Sequence, residues 1–255
     1  QSKKATCQVK EALNIVWLKR DLRLQDHLPF YEAEQNSTGN YLPIYIIEPS
    51  ALSAPDYAER HLQFIYHSIK DMNESLKPFN RKVEILYGDP LSVFQHLCEA
   101  FDLRHVFSYQ ESGTRLTWQR DKSVKSFLVG HDVTWQEFQR DGIIRGIKNR
   151  VNWDKNWYST MNTPALKNTY SINKLEIGVI PFQMPKALAD SLQVYPERFQ
   201  KAGEQFAWRY LHSFCEGRGA NYGRHISKPQ ESRKSCGRIS PYLAWGNLSV
   251  KQAVH

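Results

Sequence analysis

Cysteine is scarce: the 255 residues hold four, Cys7, Cys98, Cys215 and Cys236, and no two form a CxxC pair. Neither a zinc site nor a disulfide framework fits that scatter, and reduced thiols are expected. No run approaches the roughly 18 consecutive apolar residues that a membrane span needs. Residues 1–10 are polar and mixed, without the apolar core of a secretion signal. The expectation is a cytoplasmic protein with no membrane partner, in which the N-x-S/T triplets at Asn36, Asn73 and Asn247 arise by chance. Glycine-rich phosphate loops are also missing. No strand-like run is followed by GxGxxG or GxxxxGK(S/T), and Gly217, Gly219 and Gly223 match neither spacing. A generic dinucleotide- or triphosphate-binding protein therefore has no motif to stand on. The nine histidines include no HExxH, so no metal is expected, and no nucleophile–base pair stands out.

Positive charge is plentiful. The net charge is +8, which suits a polyanionic partner. It gathers in the second half. Residues 140–155 hold Arg140, Arg145, Lys148, Arg150 and Lys155 against Asp141 and Asp154, and residues 198–238 hold nine Lys/Arg against three Glu. A phosphate-tracking surface would look like this, and so would a solvated basic face.

The first half alternates strand and helix signals. Residues 14–19, Tyr41–Ile47, 83–87, 105–108 and 132–138 read as five strands, with Pro43 a blemish in the second. Leu62, Ile65, Tyr66, Ile69, Met72 and Leu76 form one apolar stripe on a helix over 58–76. Residues 91–101 and 115–129 read as further helices. Such alternation implies a parallel, five-stranded, doubly wound (Rossmann-like) α/β domain over residues 12–140, with ligands at the carboxyl ends of its strands. Residues 141–200, with four prolines and no clean periodicity, read as a connector with short helices. Residues 203–214 read as an amphipathic helix and 216–233 as a polar segment. Residues 239–255 look helical, with no stop signal.

Three segments carry a family resemblance. Trp17-Leu18-Lys19-Arg20-Asp21-Leu22-Arg23-Leu24-Gln25-Asp26-His27 resembles the W-x-R-x-D-L-R-x-x-D-(N/H) opening of the cryptochrome/photolyase family. Residues 203–214 (GEQFAWRYLHSF) are similar to the helix that opens its flavin domain. Tyr222, then residues 238–249 (RISPYLAWGNLS), are similar to its Y…(T/S)-S-x-L-S-P-x-L-x-x-G-x-(L/I)-S stretch. The resemblance implies that the loop at 20–27 chiefly braces two domains. It also implies that residues 201–255 begin an all-α FAD-binding domain that family members continue for roughly as long again. Tyr222 would lie at the FAD phosphates, and Cys236, Gly237, Arg238, Ile239 and Ser240 would form the phosphate turn. Cys236 and Gly237 stand where relatives place hydroxyls, with Ser235 a candidate substitute. Residues 142–157 resemble a basic, tryptophan-bearing connector of one bacterial branch. Glu111, after the fourth strand, falls near the place of an antenna chromophore of folate or deazaflavin type, and the residue also reads as a surface carboxylate. Arg224 would meet DNA phosphate. Trp17, Trp135 and Trp208 read as packing residues.

By that resemblance the function is a blue-light-driven DNA photolyase, a flavoenzyme that splits pyrimidine dimers in UV-damaged DNA. The alternative is a cryptochrome photoreceptor without repair activity. If residue 255 were the natural end, poor FAD retention and an apolar surface bared around 206–214 and 242–245 would be expected.

Overall fold

The computed structural model describes residues 10–36, 40–55 and 57–255; Cys7 lies outside them. In chain order the elements are β1 (Ala12–Leu18), α1 (Leu28–Gln35), β2 (Tyr41–Ile47), α2 (Pro49–Leu52), α3 (Glu59–Leu76), β3 (Glu84–Tyr87), α4 (Pro90–Ala100), β4 (Asp102–Tyr109), α5 (Arg115–Gly130) and β5 (Thr134–Phe138). They are followed by α6 (Trp153–Met161), α7 (Lys186–Gln193), α8 (Glu204–Glu216), α9 (Tyr222–His225), α10 (Pro229–Ser235), α11 (Ser240–Trp245) and α12 (Val250–Val254).

The five strands form one parallel sheet in the order β3-β2-β1-β4-β5. Alternation along each strand divides its side chains between two cores. On one face Leu13, Ile15 and Trp17 of β1 and Leu42, Ile44 and Ile46 of β2 meet Val93, Phe94 and Leu97 of α4 and Val124 and Leu128 of α5. On the other, Val16 and Leu18 meet Phe30 of α1 and the α3 stripe of Leu62, Ile65, Ile69, Met72 and Leu76. Helices thus cover both faces, as a doubly wound sheet requires. Pro43 is tolerated because it lies near the start of the strand and precedes the β2–β3 ladder, which begins only at Ile44.

Residues 141–200 hold two short helices, α6 and α7, and pack on the sheet: Leu175 and Ile180 enter the first core, and Leu192 and Tyr170 the second. Residues 239–255 need correction, because they are not one helix. α11 ends at Gly246, which has φ +75°, and a new helix starts at Ser249, whose hydroxyl and Gln252 form a reciprocal capping box. The expected bare apolar surface is also smaller. Tyr242 is fully buried, packing on Phe64 of α3, and Phe206, Trp208, Tyr210 and Leu211 are half-buried around it. No helix among the described residues is long and apolar enough to cross a membrane.

Candidate functional site: a strand-end cavity and a row of backbone amides

The loop at residues 20–27 leaves β1 and plugs into the second half of the chain. Arg23 Nη1 donates to Gly246 O (3.2 Å), Leu22 N to Trp245 O (3.0 Å) and Asn247 Nδ2 back to Leu22 O (2.8 Å). Leu24 N donates to Glu204 Oε2 (3.0 Å), and Ser249 Oγ to Asp26 Oδ2 (2.6 Å). Arg140 donates to the carbonyls of Arg20 and Leu243. The loop is therefore a brace. His27 and Asp21 lie inside it, fully buried and 2.8 Å apart, and His27 Nδ1 accepts from Phe30 N to cap α1. That acceptor role leaves Nε2 as the protonated nitrogen, donating to Asp21. Burial holds His27 below its ordinary value, so the ring is neutral near pH 7.

Beside the brace lies a cavity of about 590 Å³ at the carboxyl ends of the strands, where order reverses around β1. Tyr45, Ile47, Leu52, Leu62 and Ile65 line its apolar side, and Pro241, Ala244 and Trp245 of α11 close it. Its polar side is an ion network. Lys19 Nζ contacts both oxygens of Asp121 at 3.1 Å, and lies 4.2 Å from the Trp17 ring and 4.9 Å from that of Trp135. Arg120 reaches Glu48 (2.5 Å), Glu111 (2.6 Å) and Asp121 (2.8 Å). Arg20 Nε donates to Glu111 (3.1 Å), and its guanidinium lies 4.8 Å from the Trp245 ring. Burial pushes Lys19 down and Glu48 up. Burial also acts to raise Glu111, but Arg120, Lys19 and Arg20 together pull it below the usual carboxylate range. Three cations and three carboxylates thus balance within the network.

Glu111 is therefore no surface carboxylate: its side chain is 7% exposed and bridges two arginines. Trp17 is buried as expected, and Trp135 and Trp208 pack partly buried. Sequence reading missed Lys19, Glu48, Arg120 and Asp121 as a group. One signal was available: Asp121 stands on the same stripe of α5 as the buried Val124 and Leu128, a charge where an apolar residue belongs.

The turn at residues 236–240 lies between α10 and α11. Arg238 has φ +58°, in the left-handed region, and Ile239 follows at φ −88°, ψ −6°. Successive residues of opposite hand turn their N–H groups into one concavity, an arrangement that favours anions. The amides of Gly237, Arg238, Ile239 and Ser240 donate to no group among the described residues. Tyr222 and the turn share one neighbour, the Phe214 ring. Tyr222 is 40% exposed and meets that ring edge-on at 6.0 Å, and a side chain on Gly237 would stand 3.8 Å from it. Ser235 does not supply a spare hydroxyl. It is buried and bonded to His225 Nδ1 (2.7 Å), whose Nε2 meets Glu231 (2.8 Å). Arg224 is exposed on α9 and makes no ion pair with a described residue. The residues present fit a phosphate through backbone N–H groups, without side-chain hydroxyls from positions 236 and 237.

Comparison with known proteins adds the family context. The model of the DNA photolyase family matches residues 14–156. The deoxyribodipyrimidine photo-lyase of Salmonella typhimurium is 26% identical over 265 aligned residues, which cover 95% of this chain and 53% of that enzyme. An archaeal photolyase from Sulfolobus tokodaii, solved with two FAD molecules, superposes with a TM-score of 0.71 at 17% identity over 94% of this chain and 54% of its own. The cryptochrome of Synechocystis sp. PCC6803 gives 0.70 at 17% identity over 97% and 55%. The chain spans about half the length of the photo-lyases it matches.

Proposed function

Because the chain belongs to the DNA photolyase family, we propose that it is part of a blue-light-driven flavoprotein that repairs pyrimidine dimers in UV-damaged DNA. The observation that carries the proposal is the row of amides from Gly237 to Ser240, unpartnered among the described residues and fixed to the α/β sheet through the 20–27 brace. In this reading the amides hold the FAD diphosphate and the Tyr222 hydroxyl adds a further bond. FAD, when bound, supplies the light absorption and the electron that opens the dimer. The chain's own residues bind and orient. Arg224 and its basic neighbours meet DNA phosphates, and the brace keeps the flavin side in register with the sheet.

The strand-end cavity is proposed as the seat of an antenna chromophore. Its apolar wall suits a flat heterocycle, and its ion network is already balanced. Arg20 has two terminal nitrogens at its mouth without a hydrogen-bond partner among the described residues, which suit a single anionic substituent. Glu111 then acts through Arg20 and Arg120.

Saturable FAD binding tests the reading. The purified protein is titrated with FAD and then with ADP. Flavin fluorescence quenched on binding and restored by ADP supports a diphosphate-held dinucleotide. Binding that ADP does not displace contradicts it.

A further inference from the structure

We infer that Arg218 is the positioning residue of the amide turn, an inference that rests on the FAD reading above. Arg218 opens the 3-10 turn Arg218–Asn221 between α8 and α9. Its guanidinium has five N–H donors, and each finds an acceptor. Nε donates to Ser213 Oγ (2.9 Å), Nη1 to Lys234 O (3.1 Å) and Cys236 O (2.6 Å), and Nη2 to Tyr210 O (3.0 Å) and Gly237 O (3.3 Å). One planar group thus ties the last turns of α8 to the carbonyl side of residues 234–237.

The consequence for the amides follows from peptide geometry. In a planar trans peptide the C=O of one residue and the N–H of the next point in opposite directions. With Cys236 O and Gly237 O drawn toward Arg218, the N–H groups of Gly237 and Arg238 must face away from it. Arg238 O is drawn toward Gln200 Nε2 (2.6 Å), so Ile239 N–H faces away from Gln200. The carbonyls that would repel an anion are turned inward and neutralised, and the donors are turned outward. This arrangement needs a left-handed Arg238, a conformation that an L-residue other than glycine rarely holds unaided. Arg218 supplies the restraint. It acts through the backbone of residues 236 and 237.

The role requires a planar fork and not charge alone. A lysine at 218 has three donors on one nitrogen and cannot span α8 and the turn together. If loss of the fork leaves the turn in its donor-outward form about 3% of the time, FAD affinity falls about thirtyfold, because apparent Kd rises as the competent fraction falls.

The test is an amide 1H–15N titration of the protein with FAD, in the wild type and in Arg218→Ala and Arg218→Lys. Circular dichroism of each variant checks that the helices persist. In the wild type the largest shifts are expected at Gly237, Arg238 and Ile239. Both variants should lose them and bind about thirtyfold more weakly, with Lys giving no rescue. Wild-type shifts at residues 237–239 with unchanged affinity in both variants would overturn the role of Arg218 and leave the FAD reading standing. Rescue by Lys would also overturn it, showing charge to be sufficient. FAD binding without shifts at residues 237–239, or no binding, would remove the FAD-turn reading and this inference with it.

Discussion

Replacing Gly246 with alanine should break the brace between the sheet and the helical half. Gly246 has φ +75°, and a Cβ there would stand 2.5 Å from Asp21 Cα, 2.8 Å from Arg20 C and closer still to Arg20 O. These are backbone atoms, so no side chain can swing aside. The left-handed φ costs alanine about 1–2 kcal/mol. Relieving the clash means moving α11 off the loop. That breaks Arg23–Gly246, Leu22–Trp245 and Asn247–Leu22, worth about 1 kcal/mol each. The sum is about 4–5 kcal/mol. In urea, with a slope of about 2 kcal/mol/M, the midpoint should fall by about 2 M. The assay is a urea titration followed by circular dichroism and tryptophan fluorescence. A midpoint shift under about 0.3 M would show that the junction tolerates a side chain and that the loop does not bind as described.

Other perturbations follow from the same contacts. Lys19→Met leaves Asp121 buried beside Arg120 without its ammonium and should cost about 3–5 kcal/mol, most of it recovered in Lys19→Met/Asp121→Leu; urea midpoints of the three proteins decide this. His27 is held below its ordinary 6.5 by burial, so the unfolded chain takes up its proton first as pH falls. Stability should therefore decline from about pH 6.5 downward until the folded ring titrates. His27→Asn, which keeps the cap on α1, should flatten urea midpoints between pH 7 and 5, and an unchanged slope would discount the buried ring. Burial favours a raised Asp21, but the bond to His27 and the charges of His27 and Arg23 hold it below its ordinary 3.8. Its contribution is present above that value and lost as pH falls through the folded one, so Asp21→Asn should lessen the acid sensitivity below pH 4. Arg238→Gly removes left-handed strain and keeps the amides; FAD titration should give an affinity within about threefold of wild type, since backbone donors carry the anion.

Much of the fold was legible because local pattern and tertiary burial agree. The α3 stripe from Leu62 to Leu76 faces one core as its spacing requires, and all five strands lie where apolar runs predicted them. α1 went unread because its eight residues bury only Pro29, Phe30 and Ala33, and its cap is a histidine rather than Ser or Asp. The break between α11 and α12 was readable in Gly246 and in the Ser249-x-x-Gln252 box, but apolar residues on both sides hid it. The site divides in the same way. Tyr222 and the turn could be singled out by resemblance to a linear motif. Arg218, Gln200 and the Lys19–Asp121–Arg120–Glu111–Glu48 network could not, because each joins residues far apart in the chain through side-chain geometry that no spacing encodes. The brace was expected from the family resemblance of the 20–27 loop, though its partners at Glu204, Gly246 and Ser249 emerge only in the structure.

The central claim is light-driven repair, and one measurement meets it directly. DNA carrying a single thymine cyclobutane dimer is mixed with reduced FAD and the full-length protein of which this chain is proposed to be part, and recovery of absorbance at 260 nm is followed in blue light and in the dark. The account predicts recovery in blue light alone. FAD bound with no recovery in either condition would contradict repair and leave a flavin photoreceptor as the reading that stands.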